Sequence, residues 1–244
     1  MYRLIIFTLL YFLSVMSHAE NIFDWTSTNI QLLSGEGFEL GSSRHNTFTL
    51  EHANGWKYGE NFLFIDVIQR SNIGLEVYGE WYPRLSLNKI SNKNLSMGIF
   101  NDFSLVAGIN SGSEPSTNPF TAYLLGGGIS FQIPHTEFIQ LDIMAYKQDD
   151  INSVGLQITP AWSIPFTLAG LDFKFRGFLD WVSDAATGGV DYILTQPQLL
   201  LDVGQLSGQS DKLYVGIEYW YWRNKFGIKG VTEKSIQATL LYNF

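Results

Sequence analysis

Lys234-Ser235-Ile236-Gln237-Ala238-Thr239-Leu240-Leu241-Tyr242-Asn243-Phe244 closes the chain. In an extended backbone successive side chains point to opposite faces. Ile236, Ala238, Leu240, Tyr242 and Phe244 therefore share one face, and Ser235, Gln237, Thr239 and Asn243 share the other. Something outside the chain has to cover such a continuous apolar face at a terminus. A strand that is apolar toward lipid and polar toward a lumen is the repeating unit of a transmembrane β-barrel. Taken alone, the stretch equally fits a half-buried strand at the edge of a sandwich, so the rest of the chain has to decide.

At the other end, Met1 to Ala19 reads as a signal peptide. Arg3 supplies the positive start, Leu4 to Val15 the apolar core, and Ser17-His18-Ala19 a small-x-small cleavage site. The apolar core is about a dozen residues, short of the roughly 20 that a membrane-spanning helix needs. Downstream, Asp, Glu, Lys, Gln or Gly interrupts every apolar run within a few residues, so any membrane crossing has to be made by strands. Residues 20–244 are expected to form one domain, since no linker or low-complexity stretch divides them.

Composition agrees. Aromatics make up 15% of the chain against 16% charged residues, and 23 Gly accompany 7 Pro, which favours strands and turns. Cysteine is absent, which excludes disulfides and thiol chemistry. The formal charge of −8 argues against nucleic acid as a partner, because phosphate binding needs clustered Lys and Arg.

Period-2 alternation predicts twelve strands, an even number as in single-chain bacterial outer-membrane barrels. They run over 30–40, 46–53, 60–69, 74–87, 95–109, 120–132, 137–147, 153–164, 170–182, 191–203, 212–222 and the C-terminal stretch. The fold class expected is all-β: a transmembrane, antiparallel, up-and-down β-barrel in the outer membrane of a Gram-negative bacterium. Connections such as 110–118, 183–190 and 223–233 are read as outer loops, and 133–136, 165–169 and 204–210 as shorter turns on the other side. Trp25, Trp56, Tyr58, Trp162, Trp181, Tyr219 and Tyr221 crowd strand ends, as two interfacial aromatic girdles require.

The segment Leu171-Asp172-Phe173-Lys174-Phe175-Arg176-Gly177-Phe178-Leu179-Asp180-Trp181 shows which face points inward. A Lys or Arg turned to midplane hydrocarbon would cost roughly 2 to 4 kcal/mol, so the charged face belongs to the lumen. The same rule elsewhere predicts a lumen of Glu51, Phe62, Phe64, Asp66, Glu76, Tyr78, Glu80, Arg84, Asp102, Asp142, Tyr146, Asp172, Lys174, Arg176, Asp180, Glu218 and Trp220. Twelve strands lie between the 8 that side chains nearly fill and the 16 to 18 that leave a wide channel, so a narrow pore is expected. Its aromatic faces suit planar bases and its carboxylates suit sugar hydroxyls. Mutual neutralisation of these charges inside the wall is the other reading of the same residues.

The run Pro83-Arg84-Leu85-Ser86-Leu87-Asn88-Lys89-Ile90, followed by Asn94-Leu95-Ser96-Met97-Gly98, resembles a characteristic segment of the nucleoside-specific channel-forming outer-membrane proteins, the Tsx-like and OmpK-like family. Thr117-Asn118-Pro119-Phe120 resembles a second family segment, and Tyr242-Asn243-Phe244 its ending; Met97 stands where the family usually has Phe. The resemblance implies a monomeric twelve-stranded channel that passes nucleosides, with no cofactor. It also implies that some members serve as phage or colicin receptors. A C-terminal Phe244 is further expected to engage outer-membrane lipid and the barrel-assembly machinery.

Two other functions compete: a general small-solute porin, or a receptor with an incidental pore, and an outer-membrane lipase. A lipase needs a His beside a Ser and an orienting group. After the leader the chain offers His45, His52 and His135, in a loop, near a strand end and in a turn, with no such constellation. No Cys and no paired His suggests a metal site.

Overall fold

The computed structural model describes residues 22–40, 43–113 and 119–244. The signal peptide expected over Met1–Ala19 lies outside them. Thirteen strands are described: β1 (Phe23–Glu36), β2 (Arg44–Trp56), β3 (Gly59–Arg70), β4 (Gly74–Ser86), β5 (Phe100–Ser113), β6 (Phe120–Phe131), β7 (Phe138–Gln148), β8 (Gly155–Leu168), β9 (Leu171–Val182), β10 (Tyr192–Thr195), β11 (Gln198–Asp202), β12 (Leu213–Arg223) and β13 (Thr232–Asn243). Each pairs antiparallel with its neighbours. The sheet closes because β13 pairs with β12, from Leu213↔Tyr242 to Arg223↔Thr232, and with β1, from Asn29↔Asn243 to Gly35↔Gln237.

The wall has twelve positions, since β10 and β11 occupy one between them. The register against β9 runs Leu194↔Asp180 before the break and Gln198↔Arg176 after it, with no residue inserted. Pro197 makes the break, because it has no N–H to give to the ladder. Its partner position holds Gly177, where a Cβ would stand 2.8 Å from both Gln196 O and Pro197 Cα. The continuous strand predicted over 191–203 is therefore two short ones. The strand predicted from Leu95 begins at Phe100 instead. Asn88 Oδ1 accepts from the Leu95 N–H (2.8 Å) and Asn94 Oδ1 from the Ser96 N–H (2.9 Å). Side chains that bond the local backbone in this way hold a turn against the ladder.

Both described ends of the chain lie at one rim, the terminal rim; the opposite one is the outer rim. At the terminal rim, the connection from Leu87 to Ile99 carries helix α1 (Leu87–Ser91) and is long, while the outer turn Ser71–Ile73 is short. The expected contrast of long outer loops and short turns thus fails at these two connections. Ser86 caps α1, accepting from the Lys89 N–H (3.0 Å), and donates to Asp102. Lys89 Nζ reaches Asp24 (2.9 Å) and the Trp56 carbonyl (2.8 Å), so the segment that carries the family resemblance ties the rim together.

On β13, Ile236, Leu240 and Tyr242, with Phe244 just after it, are exposed on the outside, while Ser235, Gln237 and Thr239 are buried inside. The same division holds round the wall, where Leu105, Tyr123, Leu125, Ile143, Ile217 and Leu199 present an apolar outer belt. No described helix is long and apolar enough to cross a membrane. With its closed wall and apolar belt, the chain is an integral outer-membrane barrel that crosses by strands.

Candidate functional site

Pairing register places all seventeen residues of the predicted lumen on the inward face. Asn29 opposes Glu51, which opposes Phe64, which opposes Glu80. Arg84 shares its face with Val106, and Asp142 with Gly128. On β9, Asp172, Lys174, Arg176 and Asp180 fall inward in turn; Glu218 lies opposite Gln198, and Trp220 opposite Ser235.

The inward cations are paired. Arg84 passes Ser104 (3.0 Å) and reaches Asp142 with both terminal nitrogens, at 2.8 and 2.7 Å. Gly128 makes room for this pair, because a Cβ there would run into the guanidinium and the carboxylate. Arg176 on β9 meets Glu51 on β2 at 2.6 Å, joining walls that share no ladder. Lys174 pairs with Glu137 at 2.8 Å and lies 5.1 Å from the Tyr214 ring, and Arg70 pairs with Glu76.

Other carboxylates are held by neutral donors. Asp66 accepts from Thr49 (2.5 Å), Glu80 from Tyr78, Asp180 from Thr159 and Gln157, and Glu218 from Gln198 and Gln237 (2.8 Å each). Gln198 also donates to Gln31 across the interior (2.8 Å). Two carboxylates serve the terminal rim: Asp102 accepts from Ser86 and the Asn88 N–H, and Asp172 from Thr167 (2.7 Å).

Four inward rings form a track. Phe62 lies 6.1 Å from Phe64, Phe64 5.8 Å from Tyr78, and Tyr78 6.2 Å from Phe120, centroid to centroid. Gly112 gives Phe120 and Tyr78 their space, since a Cβ there would lie 2.6 Å from the Phe120 ring. Glu51, Asp66 and Glu80 stand in register beside the track.

The interior also carries apolar packing that a polar-inward rule does not reach. Val106, Ala122, Leu124, Met144, Tyr146 and Val182 cluster beneath Ala186 of the short helix α2 (Asp184–Thr187), with Tyr82 and Tyr192 against them. Leu200, Tyr214 and Leu241 form a second cluster. The polarity rule omits Tyr82, Phe120 and Trp222; alternation along one strand reaches Tyr82 from Tyr78 and Trp222 from Trp220, whereas Phe120 is placed inward by its register opposite Gly112.

At the outer rim, loops fold inward. Phe38 stacks on His45 at 3.7 Å. Lys225, on a 3-10 turn (Lys225–Gly227), pairs with Glu233 at 2.8 Å, and both are buried. Burial pushes the Lys225 ammonium below the usual lysine range, while Glu233 pulls it back up. Two connections meet here, as the Val190 N–H donates to the Gly227 carbonyl (3.0 Å).

No family model and no curated protein matches the chain. Among solved structures it is similar to the KdgM porin and to the KdgM porin in complex with disordered oligogalacturonate. Each is 11% identical, with a TM-score of 0.50, over 89% of this chain and 99% of the other. The translocator domain of the autotransporter NalP from Neisseria meningitidis also matches, at 11% identity and a TM-score of 0.41, over 95% of this chain and 92% of that one. The likeness to the KdgM porin is one of fold.

Proposed function

We propose that this barrel is a non-enzymatic channel for small solutes that carry a flat ring, with nucleosides as the class that the Tsx-like resemblance implies. The aromatic track Phe62–Phe64–Tyr78–Phe120, running beside Glu51, Asp66 and Glu80, is the observation that carries this reading. A base stacked on an aromatic ring gains about 1 to 3 kcal/mol and needs no particular hydrogen-bond pattern to do so. Carboxylates along the path accept from ribose hydroxyls. Successive rings about 6 Å apart let a solute pass from one weak site to the next, which conduction requires. Phe244, whose ring is exposed and whose N–H donates to the Thr28 carbonyl (3.0 Å), is the contact we assign to the barrel-assembly machinery.

The test is block of ion current through the purified barrel in planar bilayers. Adenosine and thymidine should block at concentrations where glucose and sucrose do not. Phe64→Leu with Tyr78→Leu should raise the blocking concentration at least tenfold, the equivalent of about 1.4 kcal/mol. Equal response to nucleosides and sugars would favour a general porin. A nucleoside block indifferent to the two rings would remove the track from the mechanism.

A further inference from the structure

The strands of the outer mouth build a cage around one ammonium. Lys225 Nζ lies 4.9 Å from the Trp222 centroid, 5.1 Å from Phe226 and 5.8 Å from Trp220. Its carboxylate partner Glu233 is 0% exposed and also accepts from the backbone N–H groups of Glu39 (3.2 Å) and Leu40 (3.0 Å) and from the Trp220 indole (3.2 Å). Trp220, Trp222 and Glu233 belong to β12 and β13, so most of the cage is barrel wall.

The occupant is held differently. Lys225 sits on a turn in which Asn224 (φ 51°) and Phe226 (φ 57°) both adopt the left-handed conformation. Asn tolerates that backbone, but for Phe226 it is strained and persists only while its surroundings hold it. Lysine is a flexible four-carbon stem, and aromatic faces with a carboxylate attract an ammonium on any molecule.

We propose that this cage is a binding site for alkylammonium groups at the outer mouth, in which Lys225 is a tethered, exchangeable occupant. An incoming ammonium takes the place of Nζ, and release of the turn relaxes Phe226. Conduction plays no part in this exchange, so the site stands or falls separately from the channel reading.

Lys225→Ala deletes the equivalent of n-propylammonium from the cage. Titration calorimetry on the full-length barrel in detergent, with heat-modifiable gel migration to verify folding, should give weak, saturable binding of n-propylammonium to the wild type. Lys225→Ala should bind it at least tenfold more tightly. Lys225→Met, which fills the cage without charge, should bind it more weakly than Lys225→Ala, whose cage is open, and Trp222→Leu added to Lys225→Ala should abolish the gain. Neutral n-propanol should bind neither protein. The proposal is overturned if n-propanol binds as well as the ammonium, since the cage is then only an apolar hole. It is equally overturned if the wild type gives no saturable heat, since Lys225 is then a fixed plug. Should Lys225→Ala fail to fold, the ammonium-against-propanol comparison on the wild type and Lys225→Met decides.

Discussion

Arg176 and Glu51 stand on opposite walls, and each keeps the other's burial tolerable. Their side chains are 21% and 17% exposed, and Glu51 has one further donor, Asn29 at 2.9 Å. Removing one member of a buried pair costs more than the pair itself contributes, because the survivor keeps its charge without compensation. Arg176→Gln should therefore destabilise the barrel by about 3 kcal/mol, at the lower end of the usual range because some solvent reaches the pair. Adding Glu51→Gln should restore most of the loss. Urea unfolding midpoints in lipid vesicles measure both, and equal midpoints for single and double mutants would show that the pair is not the source. The structure shows Lys174 and Arg176 committed to acidic partners, the mutual neutralisation that the sequence left as its second reading.

Within an element, β13 offers the sharpest contrast between faces. Leu240 and Tyr242 are both exposed outward, with the buried Thr239 and Leu241 between and beside them facing in. An Arg on the lipid face costs about 2 to 4 kcal/mol at midplane and falls toward zero near the interface. Tyr242 lies close to the terminal rim, where the Asn243 N–H donates to the Lys212 carbonyl (2.9 Å). Leu240→Arg should therefore impair assembly more than Tyr242→Arg, as the fraction of folded band on unheated gels would show. A normal yield of folded Leu240→Arg protein would contradict the outward assignment.

For the molecule as a whole, charge inside the barrel is unbalanced. Arg70, Arg84, Lys174 and Arg176 have acidic partners, while Asp66, Glu80, Asp180 and Glu218 are held by hydroxyls and amides. Fixed charge along a pore sets ionic preference, so the barrel should favour cations. Glu80→Gln with Asp180→Asn keeps acceptors for Tyr78 and Thr159 and removes two of those carboxylates. The reversal potential in a salt gradient should move toward zero with the barrel still folded. An unmoved potential would mean that the ion path does not pass these residues.

The sequence by itself determined the sidedness of the wall. A strand's side-chain period is strictly two, so Glu76, Tyr78, Glu80 and Arg84 identify their face without reference to any partner. Sidedness fades where both faces are apolar, which is why Val106, Leu124 and Met144 were not legible as interior residues. Pro197 was visible in the sequence, but its effect depended on Gly177 lying opposite it. Only the tertiary structure decided which charges meet. Arg176 and Glu51 are 125 residues apart, and Lys225 finds its rings only where a turn folds back into the mouth. Alternation is a property of neighbours along one strand, whereas a contact across the lumen exists only once the last strand has closed against the first.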